Sequence, residues 1–145
     1  MHESIEERKM KVIALAGAYN SGKTSVLKAL IATLIGNGGR HVVASVTHGK
    51  DVRCAIAYKA KVIGVCSGGD DKKTVDANFK FFAANNCDTG ITACRSVANC
   101  SSVDAVKNNA RNLKSLPFYV GKMREKRCRM AAVDAQTAQQ LISMI

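Results

Sequence analysis

The clearest chemistry in this sequence lies in eight consecutive residues: Gly17, Ala18, Tyr19, Asn20, Ser21, Gly22, Lys23 and Thr24. They satisfy G-x-x-x-x-G-K-[ST] at every position. Gly17 lets the chain leave a strand and turn. Successive backbone N–H groups from Tyr19 to Thr24 are expected to form a concave nest suited to phosphate oxygens. Gly22 removes a side chain where a phosphate must approach the backbone. Lys23 is placed to reach β- and γ-phosphates, and the Thr24 hydroxyl to ligate Mg²⁺. Ser25 completes the candidate set, in the first turn of a helix whose N-terminus adds positive potential and free donors.

Two elements must position that loop. Residues 11–16 (KVIALA) read as a short buried strand and residues 25–35 as a helix. Strand, glycine-rich loop and helix follow in the order such a loop requires. On these residues the segment 11–35, about a sixth of the chain, resembles the opening of a P-loop nucleoside triphosphatase. The resemblance implies that Gly17, Tyr19, Asn20, Ser21, Gly22, Lys23, Thr24 and Ser25 hold a nucleotide. It also implies a Mg²⁺ ion, supported by an acid at the end of a buried strand.

The chain departs from that pattern. Its best strand, residues 61–66, ends in Cys66 and Ser67, and the nearest acids are Asp70 and Asp71. Asp70 can bend back through Gly68 and Gly69 to meet the metal or the attacking water, and Asp70 or Asp71 can cap the next helix; the two roles of Asp70 are compatible. Thr24 and Asp70 are therefore the expected metal set. Thr47 is a second candidate for Mg²⁺ or γ-phosphate. Asp51 can position water or accept a proton. Both also suit ordinary turn chemistry. Arg95, at the end of another strand, is placed to neutralise charge on a transferred phosphate, or is a surface arginine. Lys23, Asp70 and Arg95 form the expected catalytic set.

The strand pair 52–58 and 61–66, leading into a glycine-containing loop, is similar to the arrangement in Ras-like GTPases. Cys66 and Gly69 keep the spacing of that family's Asp-x-x-Gly without its acid, and no Asn-Lys-x-Asp motif is present. ATP is accordingly the expected nucleotide, with GTP less favoured.

The 145 residues suit one compact domain, with residues 1–10 as a lead-in. No run of ~18 apolar residues indicates a membrane span, and the N-terminus lacks the apolar core of a secretory signal. The formal net charge is +11, which suits polyanionic partners: nucleotide, an acidic protein, or nucleic acid. Aromatic residues make up 5%, so stacking platforms for single strands are poorly supplied. The basic run Lys122, Arg124, Lys126, Arg127 and Arg129 reads as a lid over phosphates, a partner surface or a solvated face. The six cysteines form no C-x-x-C pair and read as reduced thiols of a cytoplasmic protein. A regulatory Cys94–Cys100 disulfide is a minority alternative.

Further along, residues 41–47 and 88–93 read as strands, with the pair 52–58 and 61–66 as a hairpin joined by Lys59 and Ala60. Residues 70–85, 101–113 and 133–145 read as helices and 117–120 as a last strand. This alternation argues an α/β fold. The expected architecture is a three-layer, P-loop NTPase-like domain with a mainly parallel central sheet, the hairpin adding an antiparallel strand at its edge. The loops after Ala16, Thr47, Cys66 and Cys94 should converge on one site at the carboxyl ends of the strands. The expected function is a small Mg²⁺-dependent ATPase or nucleotide-dependent switch. A kinase transferring the γ-phosphate to a small acceptor is one alternative. A non-catalytic binder of nucleotide or nucleic acid is another. A second subunit supplying an arginine in trans is compatible with so small a chain.

Overall fold

The computed structural model describes residues 10–17, 22–48, 51–95, 101–122 and 130–145. In chain order the elements are β1 (Lys11–Gly17), α1 (Lys23–Gly36), β2 (Arg40–His48), β3 (Asp51–Tyr58), β4 (Lys61–Cys66) and α2 (Lys72–Ala84). They continue with β5 (Thr89–Cys94), α3 (Ser101–Asn112), β6 (Phe118–Lys122) and α4 (Met130–Met144).

The six strands form one mixed sheet in the order β2-β3-β4-β5-β1-β6. β4, β5, β1 and β6 run parallel. β3 runs antiparallel to both β2 and β4, so it is the reversed strand. The antiparallel strand thus lies inside the sheet rather than at its edge. The reason is that β2 extends the hairpin by one further antiparallel pairing and takes the edge position itself.

Alternation along the strands splits the core in two. Ile13 and Leu15 of β1 pack with Val26, Leu27, Leu30 and Leu34 of α1 and with Leu141 of α4. Val12 and Ala14 point the other way, toward Val75, Phe79 and Phe82 of α2 and Ala105, Val106 and Ala110 of α3. Helices therefore cover both faces, giving three layers.

On the second face, Gly64 and Gly90 stand directly opposite each other in the β4–β5 register. A Cβ on either would come within 2.6 Å of the Phe82 ring. The paired glycines form a flat seat for that ring, whose complete burial stabilises the layer by about 2–3 kcal/mol. Phe79 meets Phe82 edge to face at 5.6 Å between centroids, a favoured aromatic geometry.

The β3–β4 turn uses Lys59 (φ 49°) and Ala60 (φ 64°). Both central residues are left-handed, as a two-residue hairpin matched to the strand twist requires, although neither is glycine or asparagine.

Candidate functional site

The carboxyl ends of β1, β4 and β5 lie side by side, and the start of β3 joins them because that strand runs in the opposite sense. Four segments that are distant in sequence thereby meet at one rim of the sheet.

At its centre is the first turn of α1. Gly22 occupies the N-cap with φ 96°, a left-handed conformation natural to glycine. It offers no capping side chain. Lys23 is 7% exposed. Its ammonium donates to the Gly17 carbonyl at 2.8 Å and meets Asp70 Oδ1 at 3.4 Å. A buried ammonium needs such partners. Asp70 is 46% exposed, so the pair is partly screened by water and contributes little stability.

Beside it, the Thr24 hydroxyl donates to Asp51 Oδ1 at 3.1 Å. The Ser67 hydroxyl reaches the same oxygen at 3.4 Å. Ser67 is itself fixed, since its Oγ accepts the Val52 N–H at 2.8 Å and its own N–H donates to Val52 O at 2.9 Å. Asp51 is thus held from two sides.

The loop carrying Asp70 is held by packing. A Cβ on Gly69 would stand 1.8 Å from the Ala93 carbonyl oxygen, so the loop crosses β5 where only a glycine fits. Gly68 O accepts from Asn78 Nδ2 at 2.7 Å. Asn78 is 1% exposed. It also donates to Thr92 Oγ1 at 2.9 Å and accepts from Arg53 Nη2 at 2.8 Å. One buried amide therefore ties β3, the loop after β4 and β5 together.

The next helix is capped by Asp71, whose carboxylate accepts the Thr74 N–H at 2.8 Å. Hydrogen bonds from the Thr74 backbone and then its side chain hold the Asp71 carboxyl below the ordinary carboxylate range. Cys66, at the strand end where an acid was expected, is buried. Burial pushes its thiol up to about 12, against the opposing pull of the Arg53 guanidinium. It stays protonated and contributes neither charge nor a ligand near neutral pH.

Set against the sequence reading, the structure brings Gly17, Gly22, Lys23, Thr24, Asp51 and Asp70 to one place. Asp70 sits on Lys23, and Asp71 takes the cap. The acid on Thr24 is Asp51, where the sequence suggests water or proton handling for Asp51 and a metal role for Asp70. Ser25 is exposed in the first turn of α1. Arg95 follows β5 on the same rim, with its N–H donating to Ser102 Oγ at 2.9 Å. Thr47 pairs with Val52 in the β2–β3 register. Tyr19, Asn20 and Ser21, most of the basic run including Arg124, Lys126, Arg127 and Arg129, and Cys100 lie outside the described residues. The four described cysteines, Cys54, Cys66, Cys87 and Cys94, are free thiols, all buried.

The sequence pattern gives no site role to Ser67, Asn78 or Arg53. For Asn78 a signal existed. It occupies the one polar position in the stripe Val75, Asn78, Phe79, Phe82, which has i, i+3, i+4, i+7 spacing.

The arrangement presents a buried ammonium and a hydroxyl on adjacent residues at a helix N-terminus, with two carboxylates over them. The first pair suits an anion. Thr24 and Asp51 together suit a hard cation that takes oxygen ligands from few protein groups and retains water. Among the described residues, no group of three or more histidines, cysteines or acids forms a closed metal cage, and no helix is long and apolar enough to cross a membrane. Comparison with protein-family models, with curated proteins and with solved structures finds no match to the chain.

Proposed function

We propose that this chain binds Mg²⁺-ATP at residues 17–24 and hydrolyses it, acting as a small ATPase or nucleotide-dependent switch. The observation that carries this reading is the joint placement of Lys23 on Asp70 and of Thr24 on Asp51 at the carboxyl ends of the strands. Ligands of α/β sheets bind at that edge.

On this reading, Lys23 exchanges the Asp70 carboxylate for phosphate oxygens, keeping its charge compensated throughout. Thr24 and Asp51 hold the metal. Bound Mg²⁺ supplies charge neutralisation at the β- and γ-phosphates. Asp70, released from Lys23 and half exposed to solvent, orients water for attack. The absence of an Asn-Lys-x-Asp motif favours ATP over GTP.

Transfer of the γ-phosphate to a small acceptor is the second reading. A cleft of about 530 Å³ that opens against Asp51 favours it.

The test is phosphate release from Mg²⁺-ATP and Mg²⁺-GTP by the wild type and by Lys23→Ala, Asp51→Ala and Asp70→Ala. The reading expects release with ATP that Lys23→Ala and Asp51→Ala abolish. Release that these variants leave unchanged would contradict it. Release only on addition of an acceptor would favour phosphotransfer.

A further inference from the structure

The cleft against Asp51 has its own chemistry. It lies between β3 and the first half of α2, and its volume of about 530 Å³ is within the range of small-molecule sites. Asp51, Arg53, Gly68, Lys73, Thr74 and Asn78 line it. Asp51 and Arg53 are two residues apart on one strand and so share a face. Asp51 is also the acceptor for Thr24, so the cleft and the site around Lys23 are joined by a single carboxylate.

Arg53 is held in place by neutral groups. Its Nη2 donates to Asn78 Oδ1 at 2.8 Å, and its guanidinium carbon lies 5.9 Å from the centroid of the Phe81 ring. Its Nε is buried with no hydrogen-bond partner among the described residues. Asn78 is locked in turn by Gly68 O and Thr92 Oγ1, so the guanidinium is fixed by a partner that cannot itself swing away. Among the described residues neither Arg53 nor Lys73 lies within ion-pair distance of a carboxylate, although Lys73 feels the Asp71 carboxylate at longer range. Two cations, one of them rigid, and the single carboxylate of Asp51 face the same cavity, which leaves its lining with an excess of positive charge. Guanidinium groups in this state are receptors for carboxylate and phosphate. The cleft also stays open by design of its floor. A Cβ on Gly68 would reach within 3.0 Å of Asp51 Oδ2 and 3.1 Å of Thr74 Cγ2.

We propose that this cleft binds a small molecule through an oxyanion, carboxylate or phosphate, held by Arg53 and Lys73, beside the terminal phosphate of the nucleotide. Its position beside a nucleotide rests on the function proposed above; the oxyanion site itself does not.

The test is an NMR titration of the ¹⁵N-labelled full chain with inorganic phosphate at constant ionic strength. The chain is first saturated with Mg²⁺ and β,γ-methylene-ATP, which occupies the neighbouring site. Saturable shifts are expected at the Arg53 Nε–H and at the Lys73 and Thr74 amides. Arg53→Met should weaken the binding read at the Lys73 and Thr74 amides by about tenfold or more, the loss of one charge-assisted contact. Ala77 also lines the cleft; Ala77→Phe leaves Arg53 in place and fills the cavity, and should abolish the shifts in a chain whose dispersed spectrum shows it folded. Shifts that rise linearly without saturation, or that survive both variants, would overturn the proposal. If the analogue fails to shift Gly22–Thr24 while phosphate titrates Arg53, the nucleotide reading fails and the cleft stands. The reverse pattern sinks the cleft alone.

Discussion

The Thr24 hydroxyl donates to Asp51 Oδ1 at 3.1 Å across 27 residues of sequence. The carboxylate comes from the first residue of an antiparallel strand, so it reaches the carboxyl rim of its parallel neighbours by its own amino end. Ser67, the residue just past β4, braces it. The strand end that lacks an acid is thus served by an acid from the strand beside it.

That geometry separates the two candidate acids. Asp51→Asn keeps the size of the side chain and, on the proposed function, should weaken the hold on a divalent cation. The Mg²⁺ concentration for half-maximal activity should rise about tenfold or more, while nucleotide binding without metal changes little. Asp70→Asn removes the charge paired with Lys23 and should lower turnover with a smaller change in Mg²⁺ dependence. Steady-state activity against Mg²⁺ distinguishes them. Equal Mg²⁺ shifts in both variants would remove the distinction.

Gly69 provides a structural test. With a Cβ 1.8 Å from the Ala93 carbonyl, Gly69→Ala must push the loop off β5 and carry Asp70 with it. A cost of about 1–3 kcal/mol is expected, together with weaker nucleotide binding. Gly36→Ala is the control. Nothing lies within 4 Å of its added Cβ, and it should be neutral or slightly stabilising. Urea unfolding of both variants checks this. Equal stabilities would mean that the loop is not pinned there.

The acid limb of stability should report the cap of α2. Hydrogen bonds from Thr74 depress the Asp71 carboxyl. Those from Lys72 and then Asn109 depress Asp76. A carboxyl lowered in the folded state stabilises above its unfolded value, near ~4, and loses that contribution as pH falls through the folded value. Asp71→Ala should cost about 1 kcal/mol at pH 7, and the difference from wild type should shrink below about pH 4. Thermal unfolding of wild type and variant between pH 7 and pH 2.5 measures it. A difference that is constant with pH would refute the ionised cap.

The buried thiols should be inert in the native chain. Burial pushes Cys66 up to about 12 and Cys87 up to about 11, so at pH 8 their thiolate fractions are on the order of 10⁻⁴ and 10⁻³. Peptide mapping after iodoacetamide treatment at pH 8 should find both unmodified, and labelled once urea is added. Rapid native labelling of Cys66 would contradict its burial at the strand end.

Much of the fold could be read from local pattern. Continuous apolar runs marked β1 and β4, and glycine clusters marked where elements stop. The interior place of β3 was not legible, because whether a hairpin forms an edge depends on which other strand pairs with it, and β2 lies outside the hairpin. At the site, Lys23 and Thr24 were legible from spacing alone. The pairing of Asp51 with Thr24 was not legible, because sequence distance says nothing of a carboxylate arriving from a reversed strand. Arg53 was invisible, since a single cation in a strand looks solvated until the helix that covers it is in place.

The central claim is tested most directly by isothermal titration of Mg²⁺-ATP into the full chain and into Lys23→Ala. Saturable binding at one site per chain by the wild type, lost in the variant while its thermal unfolding stays cooperative, is the predicted result. No binding by the folded wild type, or binding that Lys23→Ala leaves unchanged, would contradict the account.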